Sequence, residues 1–205
     1  MPFFYVHRLE VGPMGANCYI VGDRKDKSAL LIDPGGEPAR IKDALKESEL
    51  NLKFIINTHG HGDHILGNSY FDVPVYIHRL DKDFLTDPGK NLSGMFGLFL
   101  KTSKAARLLE DGEKVLLDNL EFDIIHTPGH TPGGISIKLD GVVFTGDTLF
   151  AGGIGRTDLP EGNEGLLFKS IKERLFALDD DTIIYPGHGP ESTIGEEKRT
   201  NPFFN

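Results

Sequence analysis

Short apolar runs separated by glycine-rich turns dominate the first third of the chain. The runs Phe3 to Leu9, Asn17 to Val21 and Ala29 to Ile32 are rich in β-branched and aromatic residues. The sequences Gly-Pro, Gly-Asp and Asp-Pro-Gly-Gly punctuate them. Apolar runs of this length, bounded by turn residues, predict three strands.

The pattern then changes to helical spacing and back again. Glu37-Pro38 suits a helix start, and apolar residues recur every three or four positions after it, to about Leu50. The run Phe54 to Ile56 predicts a buried strand that leads into the loop THGHGDH, and Val73 to Ile77 predicts another strand. Residues 86–112 show no clear period, so we expect either an apolar flap with short helices over a site or a loop packed on the core.

The second half of the chain repeats the strand theme. The predicted elements are a strand at Phe122 to Ile125 that ends in HTPGH, a hairpin of Ile135 to Leu139 and Val142 to Thr145, a helix from Glu164 to Leu178, a strand at Ile183 to Tyr185 that ends in PGHG, and a short helix that starts near Thr193 and closes at Pro202.

Composition narrows the class of protein. The chain has 205 residues, of which 39% are hydrophobic, and its net charge is −9. This acidic balance disfavours binding to nucleic acids. No apolar run approaches the roughly 20 residues that span a bilayer, and the first residues do not resemble a signal peptide. The sequence therefore predicts a cytoplasmic protein without membrane contact. The single cysteine, Cys18, lies in an apolar run and is interpreted as a core residue.

Four predicted strands each end in a loop that contains glycine and also histidine or aspartate. Such loops at the same ends of neighbouring strands converge in many α/β proteins. The densest loop has the spacing H-x-H-x-D-H, in a chain with only 8 histidines. His7, His78 and His126 are interpreted instead as ordinary surface or core residues. The side chains expected to converge are His59, His61, Asp63, His64, His130, Asp147 and His188.

These residue types point to metal binding. Imidazole nitrogens and carboxylate oxygens suit zinc and similar ions, and the absence of cysteine from the set argues against a closed structural zinc site. Seven ligands exceed what one tetrahedral ion uses, whereas two ions about 3.5–4 Å apart use all seven if one carboxylate bridges them. His59 and His61 alternate in an extended loop and can point to one ion, while Asp63 and His64 can point to a second.

The sequences THGHGDH, PGH, GD and the final GH resemble the metallo-β-lactamase superfamily, in order and spacing over nearly the whole chain. The resemblance implies an α/β fold, the αββα sandwich of two mixed β-sheets flanked by helices. It also implies two divalent metal ions, taken as zinc, with iron or manganese as alternatives. The implied ligands are His59, His61 and His130 for the first ion, Asp63, His64 and His188 for the second, and Asp147 as the bridge.

Within the superfamily, the segments Gly146 to Phe150 and Gly155 to Asp158 resemble the glyoxalase II (hydroxyacylglutathione hydrolase) branch, as does the ending GHGPESTIGEEKRTNPF. Full-length glyoxalase II continues into a helical domain that contacts glutathione. Here the chain stops at residue 205, so we expect one domain over 1–205 and no separate C-terminal helical substrate domain. Lys198 and Arg199 could replace those cationic contacts in part, or form a solvated helix face.

The resemblance implies a small-molecule thioester substrate such as S-lactoylglutathione. We expect a hydroxide that bridges the two ions to attack the thioester carbonyl, with Asp63 and Asp147 as the catalytic carboxylates. Asp33 is a candidate to orient an imidazole, and a turn-stabilising aspartate is the alternative. Arg156 is a candidate to bind a substrate carboxylate, and holding its loop through Asp158 is the alternative.

Three rival functions stay open. Persulfide dioxygenases, which hold a single iron, carry nearly the same motifs, so an oxidoreductase is the main alternative. A nuclease is less favoured because of the acidic charge. A metal-binding protein without catalysis is disfavoured because a carboxylate-bridged site is open to water.

Overall fold

The first of two large sheets contains the N-terminal half of the chain. The computed structural model describes residues 4–205, apart from the side chain of Phe96; Phe3, where the sequence pattern begins the first strand, lies outside the described residues. The strands are β1 (Phe4–Val11), β2 (Ala16–Asp23), β3 (Ser28–Ile32), β4 (Asn51–Ile56), β5 (Val75–His78) and β6 (Arg107–Leu109), in that spatial order. The first three pair antiparallel and the last three follow in parallel, so the sheet is mixed.

The second sheet is built from the C-terminal half. Its strands are β7 (Lys114–Leu117), β8 (Leu120–His126), β9 (Ile135–Leu139), β10 (Val142–Gly146), β13 (Ile183–Pro186) and β14 (Ser192–Thr193), with spatial order β14-β13-β10-β9-β8-β7. The predicted β9–β10 hairpin is confirmed, with Val142 opposite Leu139. β10 and β13 run parallel, which makes this sheet mixed as well. β11 (Leu149–Phe150) and β12 (Gly153–Ile154) form a separate small hairpin.

The helices lie outside the two sheets. They are α1 (Pro38–Glu47), α2 (Gly62–Ile65), α3 (Glu164–Ser170) and α4 (Ile194–Thr200). A central apolar layer fills the space between the sheets, a second packs α1 on the first sheet, and a third packs α3 and α4 on the second sheet. The predicted αββα sandwich is thus confirmed. Within residues 4–205, the helices are all too short or too polar to cross a bilayer.

Several sequence predictions are refined by the structure. α3 continues as a π-helical turn over Ile171–Leu175, so the helix ends before Leu178. Leu167, Ile171 and Leu175 are all buried against the second sheet, as their spacing predicts. Cys18 is fully buried, which confirms its interpretation as a core residue. The Thr193 hydroxyl accepts from the Glu196 backbone N–H at 3.2 Å and caps α4, as its spacing predicts.

The unassigned stretch 86–112 combines both expectations. Asn91 is buried and ties the stretch to the rest of the chain, since its carbonyl accepts from Gly62 N–H at 2.8 Å. Beyond it, the large apolar side chains of Met95, Leu98 and Phe99 are exposed. The stretch ends in strand β6, which the hydrophobic pattern did not predict.

The two sheets are joined at the C-terminal end of β13. Asn17, in β2, donates its backbone N–H to the Gly187 carbonyl at 2.7 Å. Its side-chain amide donates to the carbonyls of Pro186 at 3.0 Å and Gly189 at 2.9 Å. The Tyr19 hydroxyl donates to Pro186 at 2.6 Å. The loop that carries His188 is therefore held by a strand of the other sheet.

A pair of stacked imidazoles makes a second junction between the sheets. His78 ends β5 and His126 ends β8, and their ring centroids lie 4.2 Å apart at an angle of 14°. His78 is buried, and its Nδ1 accepts from the Leu80 N–H. Burial and the neighbouring His126 lower the pKa of His78 to about 4.

Because of the lowered pKa of His78, we expect the stability of the folded protein to depend on pH. The unfolded pKa of histidine is about 6.5, so His78 takes up its proton more readily in the unfolded chain. Its contribution to stability is present above that value and is lost as the pH falls towards 4. We expect the free energy of unfolding to drop by about 2 kcal/mol more between pH 7 and pH 5 in the unmodified protein than in a His78→Asn variant. Urea unfolding with a chelator present measures the free energy of unfolding of both proteins at each pH. If this free energy fell equally with pH in the two proteins, the prediction would be contradicted.

Candidate metal centre

The structure brings all seven predicted ligands together at one end of the sandwich. Four loops supply them, and each follows a buried strand: β4, β8, β10 or β13. The loop after β4 supplies four of the seven, and the others supply one each. That these side chains hold metal ions stays a prediction, which rests on the geometry described next.

The first group consists of His59, His61 and His130. One nitrogen from each ring lies within 4.8 Å of one nitrogen from each of the others, and all three residues are buried. Nδ1 of His61 lies 2.9 Å from Nε2 of His130. A close cluster of imidazole nitrogens is a donor set that zinc and similar ions prefer.

The second group consists of Asp63, His64 and His188. Nε2 of His188 lies 3.2 Å from Asp63 Oδ2 and 3.3 Å from Nε2 of His64. The His64 side chain is fully buried, whereas 27% of the His188 side chain is exposed. The centre is therefore open to solvent on the side of His188, where the Phe150 ring lies perpendicular to the imidazole with centroids 6.3 Å apart.

Asp147 lies between the two groups. Its Oδ2 is 3.5 Å from Nε2 of His130, in the first group, and 3.7 Å from Nε2 of His188, in the second. Its Oδ1 is 3.4 Å from Nε2 of His64. One carboxylate thus faces both groups, as a bridging ligand must.

Hydrogen bonds to the outer ring nitrogens select the tautomers. The Thr58 hydroxyl donates its one proton to Asp33 at 2.5 Å, so it must accept from Nδ1 of His59, 3.1 Å away. Nδ1 of His64 donates to Asp33 Oδ2 at 3.0 Å. In both rings Nδ1 donates away from the cluster, so Nε2 is the nitrogen that faces it and would bind an ion. Asp33 therefore contacts His64 directly, the contact that an imidazole-orienting role requires.

His130 is oriented in the same way by a backbone group. Its Nδ1 donates to the carbonyl of Arg156 at 2.8 Å, so its Nε2 is also free to bind. The Arg156 guanidinium is exposed and donates twice to Asp158, at 2.8 Å each. The geometry thus favours a structural role for this side chain, and substrate binding by Arg156 stays a prediction.

The histidines and carboxylates of the centre shift each other's pKa values. Burial and the neighbouring His130 lower the pKa of His61 to about 3, so this ring is neutral at physiological pH. Burial alone would raise the pKa of Asp147, but His64, His59 and His130 hold it well below its usual value. Burial likewise opposes the charge on His64, yet Asp147 and Asp63 raise its pKa well above the ordinary one. The carboxylates of Asp63 and Asp147 are therefore ionised, and their negative charge favours the binding of cations between the two ligand groups.

Three buried polar atoms without hydrogen-bond partners indicate whether the site suits metal ions. Nε2 of His59, Nε2 of His61 and Oδ1 of Asp147 have no hydrogen-bond partner among residues 4–205. Buried polar atoms are almost always paired, so atoms left over mark a missing partner. All three atoms belong to the predicted ligand set, and two of them, Nε2 of His59 and Oδ1 of Asp147, face the other ligands of the cluster. Imidazole nitrogen and carboxylate oxygen are donors that divalent cations prefer. The residues present fit such ions.

Sequence reasoning missed two residues that support the centre. Thr58 links Asp33 to His59, as described above. Asp81 is fully buried and joins the loop after β4 to the loop after β8; burial raises its pKa to about 6 despite three hydrogen bonds. The position of Thr58 directly before His59, in the motif THGHGDH, is a signal that could have found it. Asp81 lies in HRLDKD, an ordinary charged stretch without any such signal.

Comparison with known families and proteins agrees with this geometry. The sequence model of the family described as the metallo-beta-lactamase superfamily matches residues 11–188. A hydroxyacylglutathione hydrolase, GloC, from Haemophilus influenzae is 41% identical over 96% of this chain and 98% of its own length. A probable metallo-hydrolase, YqgX, from Bacillus subtilis is 40% identical over 97% of this chain and 96% of its own length.

Solved structures give the same result. The BLEG-1 B3 metallo-beta-lactamase superposes with a TM-score of 0.93 at 36% identity, covering 98% of this chain and all of its own. TTHA1623, crystallised in a di-iron-bound form, has a TM-score of 0.85 at 37% identity, with 97% and 100% covered. ETHE1 from Myxococcus xanthus has a TM-score of 0.80 at 32% identity, with 97% and 83% covered.

Proposed function

This chain belongs to the metallo-beta-lactamase superfamily, and from that premise we propose that it hydrolyses a thioester such as S-lactoylglutathione with the help of two divalent metal ions. The proposed ligands are His59, His61 and His130 for one ion, Asp63, His64 and His188 for the other, and Asp147 for both. Zinc is the proposed metal, and the di-iron form of TTHA1623 supports iron as the alternative.

The observation that carries the proposal is the presence of two separate ligand groups with one shared carboxylate. Each group can coordinate an ion with its own three side chains. Asp147 approaches members of both groups at 3.4 to 3.7 Å. A centre for a single ion does not require Asp63, His64 and His188 in addition to a complete set of three histidines. The arrangement therefore favours two ions over one.

A pair of bound divalent cations supplies Lewis acidity and makes water a stronger acid. The chain supplies the remaining requirements. Burial alone would raise the pKa of Asp63, but His64 and His188 lower it, so Asp63 is ionised at neutral pH and can accept a hydrogen bond from the attacking water. Hydrolysis breaks the carbonyl carbon–sulfur bond, and the two products are a carboxylic acid and a thiol. The exposed side of His188, next to Phe150, is the side from which a substrate reaches the centre.

The identity of the substrate is proposed from similarity. The relative from Haemophilus influenzae is described as a hydroxyacylglutathione hydrolase, and the 41% identity extends over nearly the full length of both chains. The relative from Bacillus subtilis is described only as a probable metallo-hydrolase. Thioester hydrolysis is therefore the specific part of the proposal, and metal-dependent hydrolysis is the general part.

An oxidoreductase is the second candidate, a persulfide dioxygenase that holds a single iron. The similarity to ETHE1 supports it. The three histidines of the first group also form a cluster that could hold one ion without the second group. The two candidates differ in the number of ions and in the need for oxygen.

A thioester panel tests the proposed function. The protein is stripped of metal with a chelator and reloaded separately with zinc, iron or manganese, and bound metal is counted by atomic emission. S-lactoylglutathione and thioesters without glutathione are then assayed by thiol release. We expect two ions per chain, no cleavage by the stripped protein, and cleavage restored on reloading.

The outcomes separate the candidates. S-lactoylglutathione cleaved faster than the other thioesters supports a glyoxalase II activity, and uniform weak cleavage indicates another thioester. One iron per chain, with oxygen consumed when a persulfide is added, would replace the hydrolase with the dioxygenase. A protein that binds no metal under any of these conditions would refute both.

A further inference from the structure

A short helical turn outside the ligand loops contacts the loops of the first ligand group. The 3₁₀ turn Arg79–Leu85 follows β5 and carries Asp81, which is completely buried. Its neighbour Asp83, on the same turn, has a side chain that is 60% exposed and only approaches Lys90, at 3.9 Å. A buried charged group requires hydrogen-bond partners, so the partners of Asp81 indicate what it stabilises.

Asp81 accepts three hydrogen bonds from the two loops. Its Oδ2 accepts from the Gly60 N–H at 3.0 Å and from the Thr131 hydroxyl at 2.8 Å, and its Oδ1 accepts from the Gly133 N–H at 2.6 Å. Gly60 lies between His59 and His61 in the sequence, and Thr131 directly follows His130. The bonds of Asp81 thus flank all three histidines of the first group.

The packing at this junction is as close as the hydrogen bonds. A Cβ atom at Gly133 would lie 2.5 Å from Asp81 Oδ1, and one at Gly60 would lie 2.8 Å from Cγ of Phe84, on the same turn. Both distances are shorter than side-chain carbons tolerate, so the turn fits against loops that have no side chain at these positions. The Phe84 ring also lies 6.0 Å from the His61 ring.

The second ligand group is supported by a different carboxylate. His64 donates to Asp33, and His188 is held in the loop that Asn17 binds. Within residues 4–205, the three hydrogen bonds of Asp81 all come from the loops of the first group. Asp33 also reaches His59 of the first group through the Thr58 hydroxyl, whereas the hydrogen bonds of Asp81 come from residues adjacent to the histidines of the first group.

We propose that Asp81 is a positioning residue for the first ion. It fixes the loops of His59, His61 and His130 relative to each other and thereby sets the affinity of these three ligands for their ion. It does not set the affinity of the second group, Asp63, His64 and His188, for the other ion. This proposal rests on the proposed two-ion centre. An asparagine at this position has one acceptor oxygen and an amide that donates. Its NH₂ group would face a backbone N–H of Gly60 or Gly133, so one of the two loops would lose its anchor.

Metal titration of Asp81→Asn tests the proposal, with Asp83→Asn as the control on the same turn. The dissociation constants of the two zinc ions are measured by competition with a chromophoric chelator, and cobalt-loaded protein is compared by its visible absorption spectrum. We expect Asp81→Asn to weaken one ion 10- to 100-fold, the range found for groups that orient metal ligands, and to change the cobalt spectrum of that site. The dissociation constant of the other ion should be the same in Asp81→Asn as in the unmodified protein. Both dissociation constants of Asp83→Asn should also be unchanged.

Thr131→Val gives a milder version in case Asp81→Asn does not fold. It removes one of the three hydrogen bonds, so the same ion should weaken about fivefold. Circular dichroism of the metal-free variants confirms that they are folded. If Asp81→Asn or Thr131→Val binds both ions as the unmodified protein does, or weakens both equally, the proposal is wrong. An unmodified protein that binds no second ion would refute the two-ion centre instead.

Discussion

Replacing Asp147 with alanine should lower the kcat/KM for thioester cleavage by at least about a thousandfold. Asp147 faces both ligand groups, and its buried Oδ1 has no hydrogen-bond partner among the described residues. Without it, neither ion keeps its shared ligand. Metal chemistry contributes several kcal/mol to such reactions, and each 1.36 kcal/mol corresponds to about a factor of ten in rate. Steady-state kinetics on the thioester that the panel identifies measures the loss, and atomic emission should show fewer than two ions per chain.

Asp158→Ala provides the matched control for Asp147→Ala. Asp158 lies in the loop after β12, and its exposed carboxylate accepts two hydrogen bonds from Arg156 on the solvent side. Its removal should leave both the metal content and kcat within about twofold of the unmodified protein, because exposed ion pairs contribute little. Activity retained in Asp147→Ala with two ions still bound would show that this aspartate does not bridge them.

The second large effect is expected from Gly187→Ala. A Cβ atom at Gly187 would overlap Oδ1 of Asp147 and lie 2.9 Å from Cε1 of His64. The change places a methyl group inside the ligand set without removing any ligand. Asp147 and His64 must then move apart, and a displacement of about 1 Å at a reacting centre can cost a hundredfold in rate. We expect at least a hundredfold lower kcat/KM and weaker binding of the ion for which His64 and His188 are the proposed ligands.

Gly165→Ala is the control for the glycine substitution. Gly165 lies in α3, and an added Cβ would meet only the Asn163 side chain, at 3.6 Å. Alanine is favoured over glycine in a helix by about 0.5–1 kcal/mol, so this variant should be slightly more stable and fully active. Thermal unfolding of both variants shows whether Gly187→Ala acts locally. Equal metal affinity in Gly187→Ala and the unmodified protein would contradict the close packing seen at the centre.

The convergence of the seven side chains could be predicted because each lies in a loop that follows an apolar strand. A strand of three or four buried residues fixes where its last residue lies, and the loop after it is short. His130 is only four residues beyond the end of β8, and Asp147 directly follows β10. The identity of the fold came from the same motifs, through their resemblance to a family.

What the sequence left open depends on contacts between distant segments. Asp81 and Gly133 are far apart in the chain, and only the docking of the two sheets places them in contact. β6 and β7 are short edge elements, and their apolar runs of two and three residues are too short to mark a strand. The π-helical turn after α3 depends on how its side chains fit the second sheet, which periodicity alone does not determine.

The hydrogen bonds between Asn17 and the 186–189 loop have a consequence for the order of events during synthesis. On a ribosome, the strand that anchors this loop emerges first, and the loop emerges about 170 residues later. A nascent chain that has been synthesised only as far as β13 contains six of the seven proposed ligands but not His188, so its second proposed cation site is incomplete. Full occupancy by cations would therefore mark a chain in which β2 has bound the loop of His188.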